Sequence, residues 1–186
     1  RGLGDVYKRQ IEYSENNFFS NNTISGGGFY LTGSIKEHWT THQIDISNTL
    51  NQKPVYYLKN QKGGSVPQDA GQVILVSCSG VVLSDLKMNR TFASVIFAFS
   101  SDCLVKNSLF TDSYYGIYIY NSENITLTDS TLRDNEMKGI YIYESDGVTV
   151  KNSIFQECGI LLHSSTGCVL ENNTLINCEI YISCLL

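Results

Sequence analysis

Five tyrosines and a histidine recur at fixed spacing in the second half of the chain, Tyr118, Tyr141 and Tyr181 in one series and Tyr120, Tyr143 and His163 in the next. Aromatic rings held in a flat, exposed array can stack on sugar faces while their polar tips bond hydroxyls, so these positions are candidates for carbohydrate binding. Acidic residues lie close by in sequence, at Asp102, Glu123, Glu144 and Asp146. Carboxylates standing about 5–10 Å apart can hydrolyse a glycoside, and carboxylates on a shared edge can hold calcium. Each candidate has a structural counterpart: stacked tyrosines also stabilise neighbouring strands or lie beneath a loop or a second subunit, and turn carboxylates are often only solvated. Metal chemistry is weaker. His38, His42, His163, Met88 and Met137 form no compact ligand motif. An extended strand would hold His38 and His42 about 13 Å apart, too far to share an ion, so no resident metal is expected and copper is disfavoured. The cysteines contain no CxxC pair, which leaves zinc unsupported.

What would bring the tyrosines together is a repeat. The segments beginning at Val73, Val95, Ile117, Ile140, Ile160 and Ile180 start 22, 22, 23, 20 and 20 residues apart. After each of the first five come a polar turn, a second apolar alternation (Val81 and Leu83, Cys103 and Val105, Ile125 and Leu127, Val148 and Val150, Cys168 and Leu170) and a third apolar position (Met88, Phe110, Leu132, Phe155, Leu175). Alternate side chains of a strand point to opposite faces, so the first and third residues of each opening segment face one way, and this apolar set points inward. A strand this short cannot bury its face alone. Equivalent strands stacked about 4.8 Å apart share a continuous core and satisfy each other's backbone groups. The pattern predicts an all-β, right-handed parallel β-helix with coils of about 20–23 residues and lacks the LxxLxL signature of leucine-rich repeats.

Two polar columns fix the register. Asp85, Asn107, Asp129, Asn152 and Asn172 fall just after the second strand, where Asn and Asp tolerate a left-handed backbone, and they form a structural turn ladder rather than a catalytic row. Cys78, Ser100, Ser122, Ser145 and Ser165 occupy the turn before it. Cys158 and Cys178 share one position in adjacent coils, within reach of a disulfide, although stacked free thiols are the preferred reading.

Residues 1–10 resemble a translated sequencing-library adapter and Cys184-Leu185-Leu186 the start of the opposite one, so the natural segment is expected to run from about Ile11 to Ser183 as one β-helix domain. Within it, residues 11–47 fit one or two irregular coils, 48–72 a strand-bearing loop excursion over the flank, and 73–183 the regular coils. The formal charge of −5 comes with scattered Lys and Arg, which lacks the basic footprint of a nucleic-acid binder. No apolar run reaches the ~18 residues needed for membrane insertion as a helix.

The openings Gly116-Ile117-Tyr118-Ile119-Tyr120 and Gly139-Ile140-Tyr141-Ile142-Tyr143, the turn Asn172-Asn173-Thr174-Leu175, and Pro54-Val55-Tyr56-Tyr57 followed by Gly71-Gln72-Val73-Ile74-Leu75 resemble the NosD-like branch of parallel β-helix repeat proteins, grouped with carbohydrate-binding and sugar-hydrolase (CASH) domains. The resemblance covers most of residues 11–183. It implies an exported setting, periplasmic, extracellular or at the cell surface, and a polysaccharide or cell-surface glycan as partner. The copper-delivery role associated with NosD finds no ligand set here. An adjacent Arg or Lys base, as in pectate-lyase-like mechanisms, has no marked counterpart, and the Asp-Pro-His motif of alginate epimerases is absent. The expectation is therefore a noncatalytic module that binds polysaccharide or acts as a rigid spacer. The alternative is a polysaccharide lyase, glycoside hydrolase or epimerase with active coils outside this segment.

Overall fold

Each coil of the solenoid closes because residues at its three corners adopt a left-handed backbone. At the second corner these are Asp85, Asn107, Asp129, Asn152 and Asn172, with φ of 59, 50, 50, 51 and 53°. The first corner uses Ser77, Phe99, Asn121, Glu144 and Ser164, and the third uses Arg90, Asp112, Asp134, Glu157 and Asn177. Asn and Asp dominate because their short polar side chains make this region less costly than it is for other L-residues.

The residue after each corner turns inward and ties successive coils together. Ser122 accepts a hydrogen bond from the backbone N–H of Ser100 on the preceding coil (3.1 Å) and donates to the carbonyl of Tyr120 (2.8 Å). Ser100 and Ser145 continue this ladder, while Ser108, Ser130 and Ser153 build one at the second corner. The third corner carries Ser113, Asn135, Cys158 and Cys178. Each ladder satisfies backbone donors that would otherwise be buried unpaired, at a cost of about 1–3 kcal/mol apiece. Cys158 and Cys178 are free thiols, and the Cys158 N–H donates to Cys178 Sγ at 3.3 Å.

The computed structural model describes residues 8–184. The suspected flanking residues 1–7 and 185–186 lie outside the described residues, and the strand Lys8–Glu12 begins within the suspected leading segment. Parallel pairing aligns Val73, Val95, Ile117, Ile140, Ile160 and Ile180 in one row, the register expected from the repeat. With Leu75, Phe97, Ile119, Ile142 and Leu162, the first five fill an inner core with Leu83, Val105, Leu127 and Val150 from the second face and Met88, Phe110, Leu132 and Phe155 from the third. Fully burying a side chain of this kind contributes about 1.5–3 kcal/mol. The core is thus a column of repeated small gains along the axis.

One expectation for the first half needs correction. Residues 48–72 are not a loop over the flank. The strand Lys53–Lys59 joins the first face, pairing in parallel with Gln72–Val76, and the bridges Lys62 to Ser79 and Ser65 to Val82 carry the chain along the coil path. The coil is short: Tyr56 pairs with Val73, 17 residues on, whereas Val73 pairs with Val95, 22 residues on. The missing residues are those of the third face, whose sheet starts only at Lys87–Asn89. Residues 11–47 do form rungs of their own, with Phe18–Phe19 paired to Gln43–Ile44 and Thr23–Ile24 to Thr49–Leu50, all parallel. These rungs do not simply extend the main axis. Their apolar side chains pack against the outside of the first face.

Candidate functional site: the covered tyrosine ladder

Because alternate residues of the first face point outward, its outer surface reads Ile74 and Val76, then Ile96 and Ala98, then Tyr118 and Tyr120, then Tyr141 and Tyr143, then Leu161 and His163, then Tyr181 and Ser183. The outward residues of the first two of these coils are aliphatic and fully buried, in a second apolar cluster with Ile11, Phe29, Leu31 and Trp39 of the leading rungs. Burial on both faces of a strand favours such a continuous apolar run.

Polar anchors fix this cover. The Gln72 amide donates to the carbonyls of Phe29 (2.8 Å) and Ala93 (3.0 Å), and its oxygen accepts from the Phe29 N–H (2.9 Å). Lys59 Nζ donates to the carbonyls of Thr40 (2.9 Å) and His42 (2.6 Å), and the Tyr57 hydroxyl donates to the Trp39 carbonyl. Trp39 lies flat on Tyr120, with ring centroids 5.1 Å apart and planes at 21°.

The cover changes what the tyrosines offer. Tyr118 and Tyr120 are each only 6% exposed, so they are not part of the open strip expected from the sequence. Burial pushes the Tyr118 hydroxyl far above the ordinary phenol range and raises Tyr141 as well. The rings also stack along the axis: Tyr118 on Tyr141 at 5.3 Å and 26°, Tyr120 on Tyr143 at 5.6 Å and 28°. Stacked rings occupy each other's faces, which leaves edges and hydroxyls toward solvent. Tyr141, Tyr143 and His163 are half-buried at the edge of the cover, with His163 edge-on to Tyr143 at 5.0 Å, while Tyr181 is 56% exposed. His163 Nε2 is enclosed without a hydrogen-bond partner among the described residues.

The acidic residues separate into two groups. Glu123 and Asp146 are bridged partners on adjacent coils and, with Glu144, line one shallow depression at the first corner. Asp146 Oδ1 accepts from the Thr166 hydroxyl at 2.7 Å. Asp102 sits one register position away, accepting from the Asn124 amide at 3.2 Å. His38 and His42 also depart from expectation. Glu37–Thr40 is a helical turn rather than an extended strand, because the chain must bend to seat Trp39, and His42 Nε2 meets the His38 carbonyl at 2.9 Å. Among the described residues, no three His, Cys, Asp or Glu side chains gather as a metal-binding group.

Residues 71–185 match the family described as right handed beta helix region, which is more than half of the chain. The chain belongs to that family. No curated protein matches its sequence. Among solved β-helix structures it is similar to a protein described as a glycosyl hydrolase from Parabacteroides merdae, at 9% identity and a TM-score of 0.39, covering 65% of this chain and 81% of that one. It is also similar to the A-module of the Azotobacter vinelandii mannuronan C-5 epimerase AlgE4, at 11% identity and a TM-score of 0.42, covering 93% and 60%. A third is the enzymatically active domain of bacteriophage CBA120 tailspike protein 2, at 14% identity and a TM-score of 0.31, covering 92% and 36%. Likeness at this level carries no information about chemistry.

In this right-handed β-helix the residues that decide access to the ladder, Trp39 and Gln72, were not among the sequence candidates. A signal for them exists. The outward positions of the first face run from Ile74 and Val76 through Ile96 and Ala98 to tyrosine, and an aliphatic outer face requires something to lie on it.

Proposed function

We propose that the chain is a noncatalytic, exported or cell-surface β-helix module that binds polysaccharide along the open end of the tyrosine ladder. The observation that carries this reading is the emergence of the ladder from its cover at Tyr141 and Tyr143, continuing over Leu161 and His163 to the exposed Tyr181. The stacked rings favour edge and hydroxyl contacts over face stacking, so the ledge suits a sugar chain lying along the axis with its hydroxyls bonded to phenols. Coil spacing of about 4.8 Å is close to the rise of a sugar in an extended polymer. The resemblance to carbohydrate-binding repeat proteins supports the same class of ligand.

The test is an array of neutral and acidic polysaccharides probed with the protein and with the Tyr143→Ala, Tyr181→Ala double variant. Selective binding lost in the variant supports the ledge. No binding to any polymer removes it and leaves the rigid-spacer role. A second reading, a polysaccharide lyase or glycoside hydrolase with or without calcium, is favoured by one observation, the shared depression of Glu123, Glu144 and Asp146. Release of reducing ends or unsaturated sugars from a bound polymer, abolished in Glu123→Gln, would establish it.

A further inference from the structure

The short coil described above leaves a gap. Because residues 53–71 supply no strand to the third face, Lys87–Asn89 is the first strand of that sheet, and among the described residues one of its edges has no strand beside it. Side chains from a tight hairpin fill in: Asn51 Nδ2 donates to the Asn89 carbonyl (3.0 Å) and Lys53 Nζ to the Lys87 carbonyl (3.2 Å). The hairpin pairs Leu50 with Lys53 and turns through Asn51 and Gln52, whose φ values are 51 and 67°. A glycine is the usual second residue of such a turn, so Gln52 holds the left-handed region at some cost in strain. Asn51 Oδ1 accepts from the Gly26 N–H at 2.9 Å, which ties the hairpin to the leading rungs.

Between this hairpin and the open edge of the third face lies a cavity of about 270 Å³ that reaches Ala70 and Met88 of the inner core. Its polar lining comes from Lys53, Lys87, Asn51, Asn89 and Thr111, with Leu50 and Leu109 among its apolar lining, and no carboxylate among the described residues lines it. That is notable in a chain with 18 acidic and 13 basic residues. Lys53 uses one donor on the edge carbonyl and keeps others, and Lys87 is exposed. Neither lysine forms an ion pair among the described residues.

We propose that this gap is an anion-binding site, separate from the tyrosine ledge, that takes a carboxylate or sulfate group between Lys53 and Lys87, with Asn89 and Thr111 as further donors. Its volume falls below the ~300–1,000 Å³ of drug-sized pockets, so it suits one anionic sugar or a free oxyanion rather than a length of polymer. Charge-assisted hydrogen bonds from two ammonium groups supply most of the affinity, which falls with added salt.

The test titrates the protein with a galacturonic acid trimer, a neutral galactose trimer and sodium sulfate, following binding by calorimetry. The acidic trimer is expected to bind, the neutral one to bind at least about tenfold more weakly, and Lys87→Gln to lose about tenfold or more for the acidic ligand. Lys87 is the informative position because its side chain, unlike that of Lys53, makes no contact needed to cap the edge. Sulfate binding as tight as the trimer identifies a free oxyanion as sufficient; tighter trimer binding assigns a contribution to the sugar ring, and either supports the site. Equal affinity of Lys87→Gln and the unaltered protein for the acidic trimer, equal affinity for acidic and neutral trimers, or no binding of either anion overturns it. The Tyr143→Ala, Tyr181→Ala variant should retain the acidic trimer, so the two sites fail independently.

Discussion

Trp39 lies on Tyr120, the two rings stacked with centroids 5.1 Å apart, and this contact joins the leading rungs to the outer face of the solenoid. Trp39 is 1% exposed and its indole N–H donates to the Gly33 carbonyl at 3.0 Å, so the ring is fixed at both ends. With its neighbours it buries the outward residues Ile74, Val76, Ile96, Ala98, Tyr118 and Tyr120 of the first face.

Trp39→Ala is therefore expected to cost about 3–5 kcal/mol, the usual range for removing a buried aromatic ring. It should also open Tyr118 and Tyr120. Chemical denaturation measures the first effect, and the number of tyrosines ionising in the folded protein measures the second. An unchanged denaturation midpoint would show that the cover is held by its polar anchors instead.

Gly116 tests the close approach of successive coils. A Cβ there would lie 2.5 Å from the Gly139 carbonyl oxygen and 2.9 Å from Leu132 Cδ2, and the first of these is backbone that cannot swing aside. Gly116→Ala is expected to destabilise the fold by about 1–3 kcal/mol, as overpacking does. Gly26→Ala, with open space around its Cβ but φ of +70°, separates crowding from backbone strain. Thermal unfolding of the two variants compares these costs, and a Gly116→Ala protein as stable as the parent would contradict the coil spacing.

The regular coils were legible because their period is written twice, in the apolar alternation from Val73 onward and in the Asp and Asn of the second corner. Both signals are local to each coil. The leading half was harder because its decisive contacts are long-range: Gln72 bonds Phe29, 43 residues away, and no periodicity marks such a pair. The short coil was misread for a related reason. Gly63, Gly64 and Pro67 suggested an excursion, whereas the first two lie in an ordinary first-corner turn, and the coil is short because Ser65 to Gln72 skips the third face. The tyrosine series was correctly aligned, but alignment does not reveal what lies over it. Its first two members are buried by a segment some eighty residues upstream, at about the distance from Trp39 to Tyr120 in the sequence.

Alkaline stability should depend on Tyr118. Its folded-state hydroxyl is held well above the unfolded value of 10.0 by burial, with neighbouring tyrosines adding to the shift. A raised folded-state value means that stability is fully present below about pH 10 and is lost as pH rises toward the folded value. Tyr118→Phe keeps the ring and removes the ionisation, so its unfolding midpoint should fall less steeply between neutral and strongly alkaline pH. Parallel curves for the two proteins would show that another group controls the loss.

Acid stability should depend on His42, which is fully buried and set between two backbone groups. Its Nδ1 accepts from the Asn17 N–H at 3.3 Å, which places the ring proton on Nε2, donated to the His38 carbonyl at 2.9 Å. Burial lowers its pKa below 6.5; the His38 carbonyl bond and Glu15 oppose the shift, and the charges of Lys59 and His38 add to it. The folded state therefore resists a proton that the unfolded chain accepts, so stability is complete above about pH 6.5 and declines as pH falls toward the folded value. A second proton would also displace the Asn17 N–H from Nδ1 and loosen the rung that carries Trp39. The melting temperature measured from pH 7.5 down to about 5, above the ordinary carboxylate range, should fall in the parent protein and fall less in His42→Gln. Equal slopes in the two proteins would mean that protonation of His42 is not what weakens the cover.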